Sequence, residues 1–453
     1  MNTPTARPAR TPSLNTLTQL AVGALLALAG SAQAQSLIEV FEAARGFDAT
    51  ILSARSQFDA SVARAAQARA GILPQAGLSG AANWARRDSS PSAPQLEGTS
   101  NSQNVALAAS QPLYRPANQI ANEQALLSVD VAKAQLAAAE QDLIVRTTQA
   151  YFDVLAAQDT LAFVRAQKSA VSEQLAAAKR NFEVGTSTVT DSREAQARFD
   201  LVLAQEIAAE NDLLVRRLVL DQLVGRNVTP RPLAAPVALP AVVPADPEAW
   251  VARAEAGHPT LVQATRALEI AQLETRKAEA GHKPTVDLVG QYQLARGPSP
   301  SPAAVPGYVR TNTGSVGVQF NMPLFAGYAI QNRVRETLAL EDRARTDLEG
   351  ARRGINQATR SAYFGVLSGQ GQVKALEAAE ASSQSALEAN QLGYQVGVRI
   401  NIDVLNAQSQ LFQTKRDLAV ARYNVLLGSL RLKQASGQLT PADLQPVDAL
   451  LAR

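Results

Sequence analysis

Cysteine is absent from the 453 residues. Its absence excludes disulfides, thiolate metal sites and the lipid-bearing cysteine that would anchor a bacterial lipoprotein just after its leader. Only two histidines occur, His258 and His282, and neither has a partner at metal-ligand spacing such as H-E-x-x-H, so both are read as surface or capping residues at helix ends. With no nucleophile motif, no glycine-rich phosphate loop and no histidine cluster, the sequence offers no catalytic, cofactor or metal site, and an enzyme is the least supported class. The longest apolar run, Leu20 to Ala29, is far short of the ~20 residues a membrane-spanning helix needs. It follows Arg7 and Arg10 and precedes Ala32-Gln33-Ala34, which reads as a secretory signal over residues 1–34, cut before Gln35. Losing two arginines with that leader takes the net charge from +3 to +1, so the high pI says nothing about nucleic acid and no such partner is expected.

What the chain does have, it has twice. Gly71-Ile72-Leu73-Pro74 recurs as Gly281-His282-Lys283-Pro284, Gln111-Pro112-Leu113-Tyr114 as Met322-Pro323-Leu324-Phe325, and Tyr151-Phe152 as Tyr363-Phe364. Val184-Gly185 then matches Val396-Gly397, Asp191 matches Asp403 and Gln196 matches Gln408, at a displacement of about 211 residues throughout. A period this long belongs to a duplicated half-domain and not to a solenoid or propeller. The first repeat spans 35–224 and the second 248–436.

Each repeat runs through the same elements. A helix rich in Ala, Gln and Arg, from about Ser36 to Ala70 in the first repeat, breaks at Gly71 and Pro74. The period then changes from 3.6 to 2, giving a hairpin at 75–113 and another at 285–324. In the first, Ala76, Leu78, Ala82 and Trp84 alternate with Gln75, Ser79 and Asn83, and a Ser/Pro/Asn-rich loop at about 88–102 precedes a strand carrying Val105, Leu107 and Ala109. In the second, Val286, Leu288, Tyr292 and Leu294 alternate with Thr285, Asp287, Gln291 and Gln293, and Val316, Val318, Phe320, Met322 and Leu324 with Ser315, Gln319 and Asn321. Alternation alone fits a sheet on a soluble core and a membrane barrel equally well. Export without a spanning helix favours the barrel.

Each hairpin leads into a helix without internal proline, at 116–182 or 327–395, roughly 100 Å long at ~1.5 Å per residue. These turn at Val184-Gly185 and Val396-Gly397 into shorter helices at 190–224 and 401–435, as antiparallel coiled coils. A proline-rich linker, 225–247, joins the repeats, and with the tail at 437–453 it is expected to wrap the middle of the rod. Four strands cannot close a membrane barrel, because open edges in lipid leave backbone donors unsatisfied, so the chain must assemble with itself. Two copies would give eight strands and three would give twelve. Polar residues assigned to the lumen side, Asp287, Gln291, Gln319 and Asn321, favour the wider barrel.

Phe182-Glu183-Val184-Gly185-Thr186-Ser187-Thr188-Val189-Thr190-Asp191 and Gly393-Tyr394-Gln395-Val396-Gly397-Val398-Arg399-Ile400-Asn401-Ile402-Asp403-Val404-Leu405-Asn406 together resemble the TolC family of outer-membrane efflux and secretion channels. Ser36 to Phe41 and Ala68 to Gln75 are similar to its type I secretion branch. The resemblance covers essentially the whole mature chain. It implies a mixed α and transmembrane β fold: a homotrimer whose twelve-stranded outer-membrane β-barrel continues into a periplasmic α-helical barrel. Implied partners are outer-membrane lipid, a periplasmic adaptor docking at the tip turns (Val184, Gly185, Thr186, Val396, Gly397, Val398), and an inner-membrane ABC or RND transporter. Tyr394 and Arg399 would meet Thr190 and Asp191 as a periplasmic gate, within and between protomers. Asp403 and Asn406 map to a selectivity ring in which Asn406 departs from the family's second acid, and a ring of Asp403 would attract cations and bind polyvalent metal ions. Rival expectations are a periplasmic coiled-coil scaffold without a pore and a general diffusion porin.

Overall fold

A computed structural model of the chain describes residues 35–87, 98–234, 239–299 and 307–452. The expected signal, most of the first hairpin loop and Pro236 of the linker lie outside these. The first repeat contains α1 (Leu37–Phe47), α2 (Ala49–Ala70), β1 (Gln75–Arg87), β2 (Gly98–Tyr114), α3 (Pro116–Glu183) and α4 (Val189–Val224). The second contains α5 (Pro247–Gly257), α6 (Pro259–Glu279), β3 (Thr285–Pro298), β4 (Tyr308–Asn321), α7 (Ala329–Gln395) and α8 (Asn401–Ala435). A short α9 (Gln445–Asp448) lies in the tail.

The helix expected from Ser36 to Ala70 is interrupted at Asp48, whose side chain accepts from the Ile51 amide and so starts a new helix. His258 interrupts the second repeat at the matching place, its Nδ1 accepting from the Thr260 amide, and burial lowers its pKa. The helix expected from residue 327 starts at Ala329, because Gly327 and Tyr328 both take left-handed backbone. Met322 and Leu324, expected in the strand before it, lie beyond its end at Asn321.

The strands form one antiparallel sheet in the order β1-β2-β3-β4. Pairing of β2 with β3 fuses the hairpins of the two repeats and leaves β1 and β4 as open edges. The register places Leu78 opposite Leu107 and Leu107 opposite Tyr292, Val105 opposite Leu294, Leu288 opposite Val318 and Val286 opposite Phe320. Directly opposed residues share a face, so the apolar phases of all four strands coincide. That face is uncovered: Leu78, Trp84, Leu107, Tyr292, Val316, Val318 and Phe320 are all exposed. Asp287, expected to face a lumen, lies on the polar phase opposite Gln319 and is buried where the sheet meets α3, with Arg115 gripping both of its oxygens at 2.7 and 2.6 Å. No helix among the described residues is long and apolar enough to cross a membrane.

At 68 and 67 residues, α3 and α7 are the spines of the rod. Helices α2 and α4 lie end to end along α3, and α5 with α6 and α8 along α7. The main core sits at the waist, where Leu37, Phe41, Ile144, Tyr151, Phe152, Leu220, Tyr423 and Leu426 meet. Linker and tail bind there: Tyr151 donates to the Gln35 carbonyl and accepts from the Arg231 amide, Ala234 donates to Leu450, and Ala452 donates to Pro232. The duplicate tyrosine, Tyr363, donates to the linker carbonyl of Ala245 at 2.7 Å.

Candidate functional site: the two coiled-coil tips

Far from the sheet, α3 and α7 end in the same backbone. Gly185 and Gly397 both adopt φ of +80°. Thr186 donates to the Asn181 carbonyl and Gly185 to Phe182, as Val398 donates to Gly393 and Gly397 to Tyr394. This pattern satisfies the last carbonyls of each long helix and needs a residue without Cβ strain at the left-handed position. Val184, Val396 and Val398 stand out from the turns, Val398 with 76% of its surface exposed.

The side chains of the two turns differ. In the first, one Asp191 oxygen accepts from the Ser187 hydroxyl at 2.9 Å, the Thr188 hydroxyl at 2.8 Å and the Thr188 amide at 3.0 Å, while the Asp191 amide donates back to Thr188. That is a capping box. Burial works against the Asp191 carboxylate, but these hydrogen bonds outweigh it and hold its pKa below the ordinary value. The Thr190 hydroxyl is exposed and enters no hydrogen bond among the described residues.

In the second turn the cap position is Ile400, which has no oxygen to offer. Arg399 reaches along α8 to Asp403, 3.8 Å away, with its side chain 58% exposed. Its stem lies over Gly393, where an added Cβ would come within 2.6 Å of Arg399 Cγ. Tyr394 accepts a hydrogen bond from Asn181 at 3.3 Å. The expected meeting of Tyr394 and Arg399 with Thr190 and Asp191 is therefore absent within one chain. One oxygen of the Asp191 carboxylate is held by its own cap, and the Arg399 stem lies over Gly393 and runs toward Asp403 on its own helix.

Two links join the hairpins that sequence reasoning missed. Asn401, 1% exposed, accepts from Gln174 of α3 and donates to the Asp191 carbonyl at 3.3 Å. Asn406 of the expected ring accepts from Arg198 of α4 at 2.8 Å. The first-repeat counterpart of Asn401 is Val189, and that replacement of an apolar residue by an amide was the available signal.

The chain matches the family model described as "Outer membrane efflux protein" over residues 40–226 and 250–438, one match for each repeat. It is 32% identical to "Outer membrane protein TolC" of Vibrio cholerae over 427 residues, 94% of this chain and 96% of that protein. It is 32% identical to "Alkaline protease secretion protein AprF" of Pseudomonas aeruginosa over 329 residues, 72% of this chain and 67% of that protein. The solved structure of the outer membrane protein VceC from Vibrio cholerae superposes with a TM-score of 0.75 at 18% identity, covering 88% of this chain and 96% of that one. With the duplicated hairpins, the ~100 Å coiled coils and the paired glycine turns on a common backbone, the chain belongs to the outer membrane efflux protein family, the TolC-like channels of the Gram-negative outer membrane.

Proposed function

We propose that three copies of the chain close a twelve-stranded barrel in the outer membrane and stack their coiled coils into a periplasmic tunnel, through which cargo leaves the cell. The observation that carries this is the four-stranded sheet: its apolar face is uncovered, both edges are open, and it continues directly into the rod. In lipid, unpaired edges cost several kcal/mol per group, and pairing β4 of one copy with β1 of the next removes them all. The helical part needs the same neighbour, because α4 carries Leu201, Ile207, Leu214, Leu218 and Val219 uncovered on its surface.

The duct performs no chemistry of its own; an inner-membrane ABC or RND transporter supplies the energy and an adaptor bridges the gap. The exposed Val184, Val396 and Val398 suit adaptor docking at the tips. In this reading Arg399 and Tyr394 reach Thr190 and Asp191 of the neighbouring copy, and three Asp403 carboxylates ring the narrow end. The 32% identity to the secretion protein AprF supports polypeptide cargo, with drug efflux through the same duct a further use.

The test is the mass of the detergent-purified protein together with its conductance in planar bilayers. A trimer with small, steady conductance is expected. A monomer in every detergent, or no pore at all, overturns the duct and leaves the scaffold reading.

A further inference from the structure

Between α3, α4 and α8, inward from Asp403, lies an open cavity of ≈ 450 Å³ whose lining includes Gln167, Arg198, Ser409, Gln410, Gln413 and Arg416 but no carboxylate. It continues the Asp403 stripe, because Asn406, Gln410, Gln413 and Arg416 follow Asp403 on α8 at steps of three or four residues, the spacing of one helix face. The sign of charge reverses along that stripe.

Both arginines are partnered by amides alone. Arg198 donates to the Asn406 side-chain oxygen at 2.8 Å. Arg416 donates to Gln167 at 3.3 Å and to Gln413 at 2.5 Å. Nearby acids are turned elsewhere, Asp200 accepting from Gln196 and Asp417 from Gln413. Burial lowers the Arg416 pKa and outweighs the opposing charge of Asp417, whose carboxylate is hydrogen-bonded to Gln413. Other arginines on the coiled coils do hold carboxylates, as Arg165 holds Glu206 and Glu210 and Arg422 holds Glu377. Two guanidinium groups lining one cavity, with neutral amides as their hydrogen-bond partners, offer charge-assisted hydrogen bonds suited to an oxyanion.

We propose that this cavity is an oxyanion site, taking a carboxylate, sulfate or phosphate group between Arg198 and Arg416. It rests on the duct reading for its consequence: the tunnel then presents a cation-attracting level at Asp403 and an anion-holding level immediately inward of it. An oxyanion reaches the site either as a free ion or as the acidic side chain of a passing polypeptide.

The experiment titrates sulfate into the purified wild-type protein and into an Arg198→Gln/Arg416→Gln double variant by calorimetry at constant ionic strength. Wild type is expected to bind, and the double variant to bind at least about tenfold more weakly, since a hydrogen bond to a charged group contributes that much on binding. Asp403→Asn should keep the site. Equal affinity in wild type and double variant, or no binding by wild type, overturns the proposal. Calorimetry needs no pore, so failure of the duct reading is seen separately, in the bilayer. There, sulfate should reduce wild-type current and spare the double variant. A short glutamate peptide that blocks in the same residue-dependent way identifies polypeptide carboxylates as occupants, whereas block by sulfate alone identifies the free ion. The variants' oligomer mass confirms folding, as both replacements keep a polar side chain at the cavity wall.

Discussion

At the first tip, Ser187, Thr188 and Asp191 close on one another. At the second, Arg399, Ile400 and Asp403 occupy the same three places and leave their charges facing outward. The backbones share the left-handed glycine and the bonds that close each long helix, the second turn adding bonds from the Arg399 amide to Gly393 and from the Asp403 amide to Ile400, so the main difference is one of side chains. A duplicated motif needs its cap only where its role is to hold still. The first turn satisfies its helix N-terminus with its own carboxylate. The second turn leaves its cap position empty, and with it an arginine on a glycine bed and a carboxylate in the first turn of a helix, where the dipole favours anions. Mobile or intermolecular chemistry at this end of the rod should therefore belong to the second turn.

The sharpest way to break this comparison is to neutralise its outward charge. Asp403→Asn should weaken block of the pore by hexaamminecobalt on the order of a hundredfold, because three carboxylates leave the ring together. Asp191→Asn should change the block little, its carboxylate being committed to the cap. Similar losses in both variants would end the division of labour. Next in size is Arg399→Ser with Ile400→Thr, which rewrites the second turn as a copy of the first. Thr at position 400 then caps α8 and draws Asp403 to itself, and single-channel conductance should rise several-fold as the arginine latch is lost. An unchanged current would remove Arg399 from the gate.

Much of this architecture was legible because it follows from long, consistent signals. Helices α3 and α7 lack internal proline over about five dozen residues each, and the strands keep period 2 in phase across both hairpins, which the register then aligns on one face. The breaks at Asp48 and His258 were less visible, since one capping side chain has to outweigh a continuing helical pattern on either side. At the tips, Gly185, Gly397, Asp191 and Asp403 could be placed from the repeat and the family likeness. Their pairings could not. Whether Asp191 is free for Arg399 depends on Ser187 and Thr188 reaching it first, and Arg198 meets Asn406 across 208 residues of chain. Asp287 shows the same limit: its polarity was plain, but its partner Arg115, at the start of α3, was not.

Smaller effects sharpen the comparison at single atoms. Gly393→Ala puts a methyl where Arg399 now lies, so it should open the pore in the same direction as loss of Arg399, though less, while Asn181→Ala in the first repeat should not. Asn401→Val, which copies Val189, strands the Gln174 amide and frees the Asp191 carbonyl. It should destabilise the tip by about 1–3 kcal/mol, read as faster amide exchange in the first turns of α4 and α8.

The smallest expected effect tests the cap itself. Thr188→Ala removes a hydroxyl that both accepts from the Asp191 amide and donates to its carboxylate, and should cost about 1 kcal/mol of local stability. A depressed carboxylate pKa contributes stability that is fully present above the unfolded value, here the ordinary 3.8, and is lost as pH falls through the lower folded value. Amide protection at the start of α4 should therefore hold from neutral pH down to about 3.8 and fall as pH drops from there through the lower folded value. In Thr188→Ala the acid-linked loss should be smaller and complete at a higher pH, because the folded carboxyl has lost the Thr188 hydroxyl, one of its lowering contacts. No loss of this kind is expected from a cap at the start of α8, where Ile400 has no side-chain oxygen to bond with Asp403. If α8 shows the same acid step as α4, the second turn is capped after all and the asymmetry between the two tips disappears.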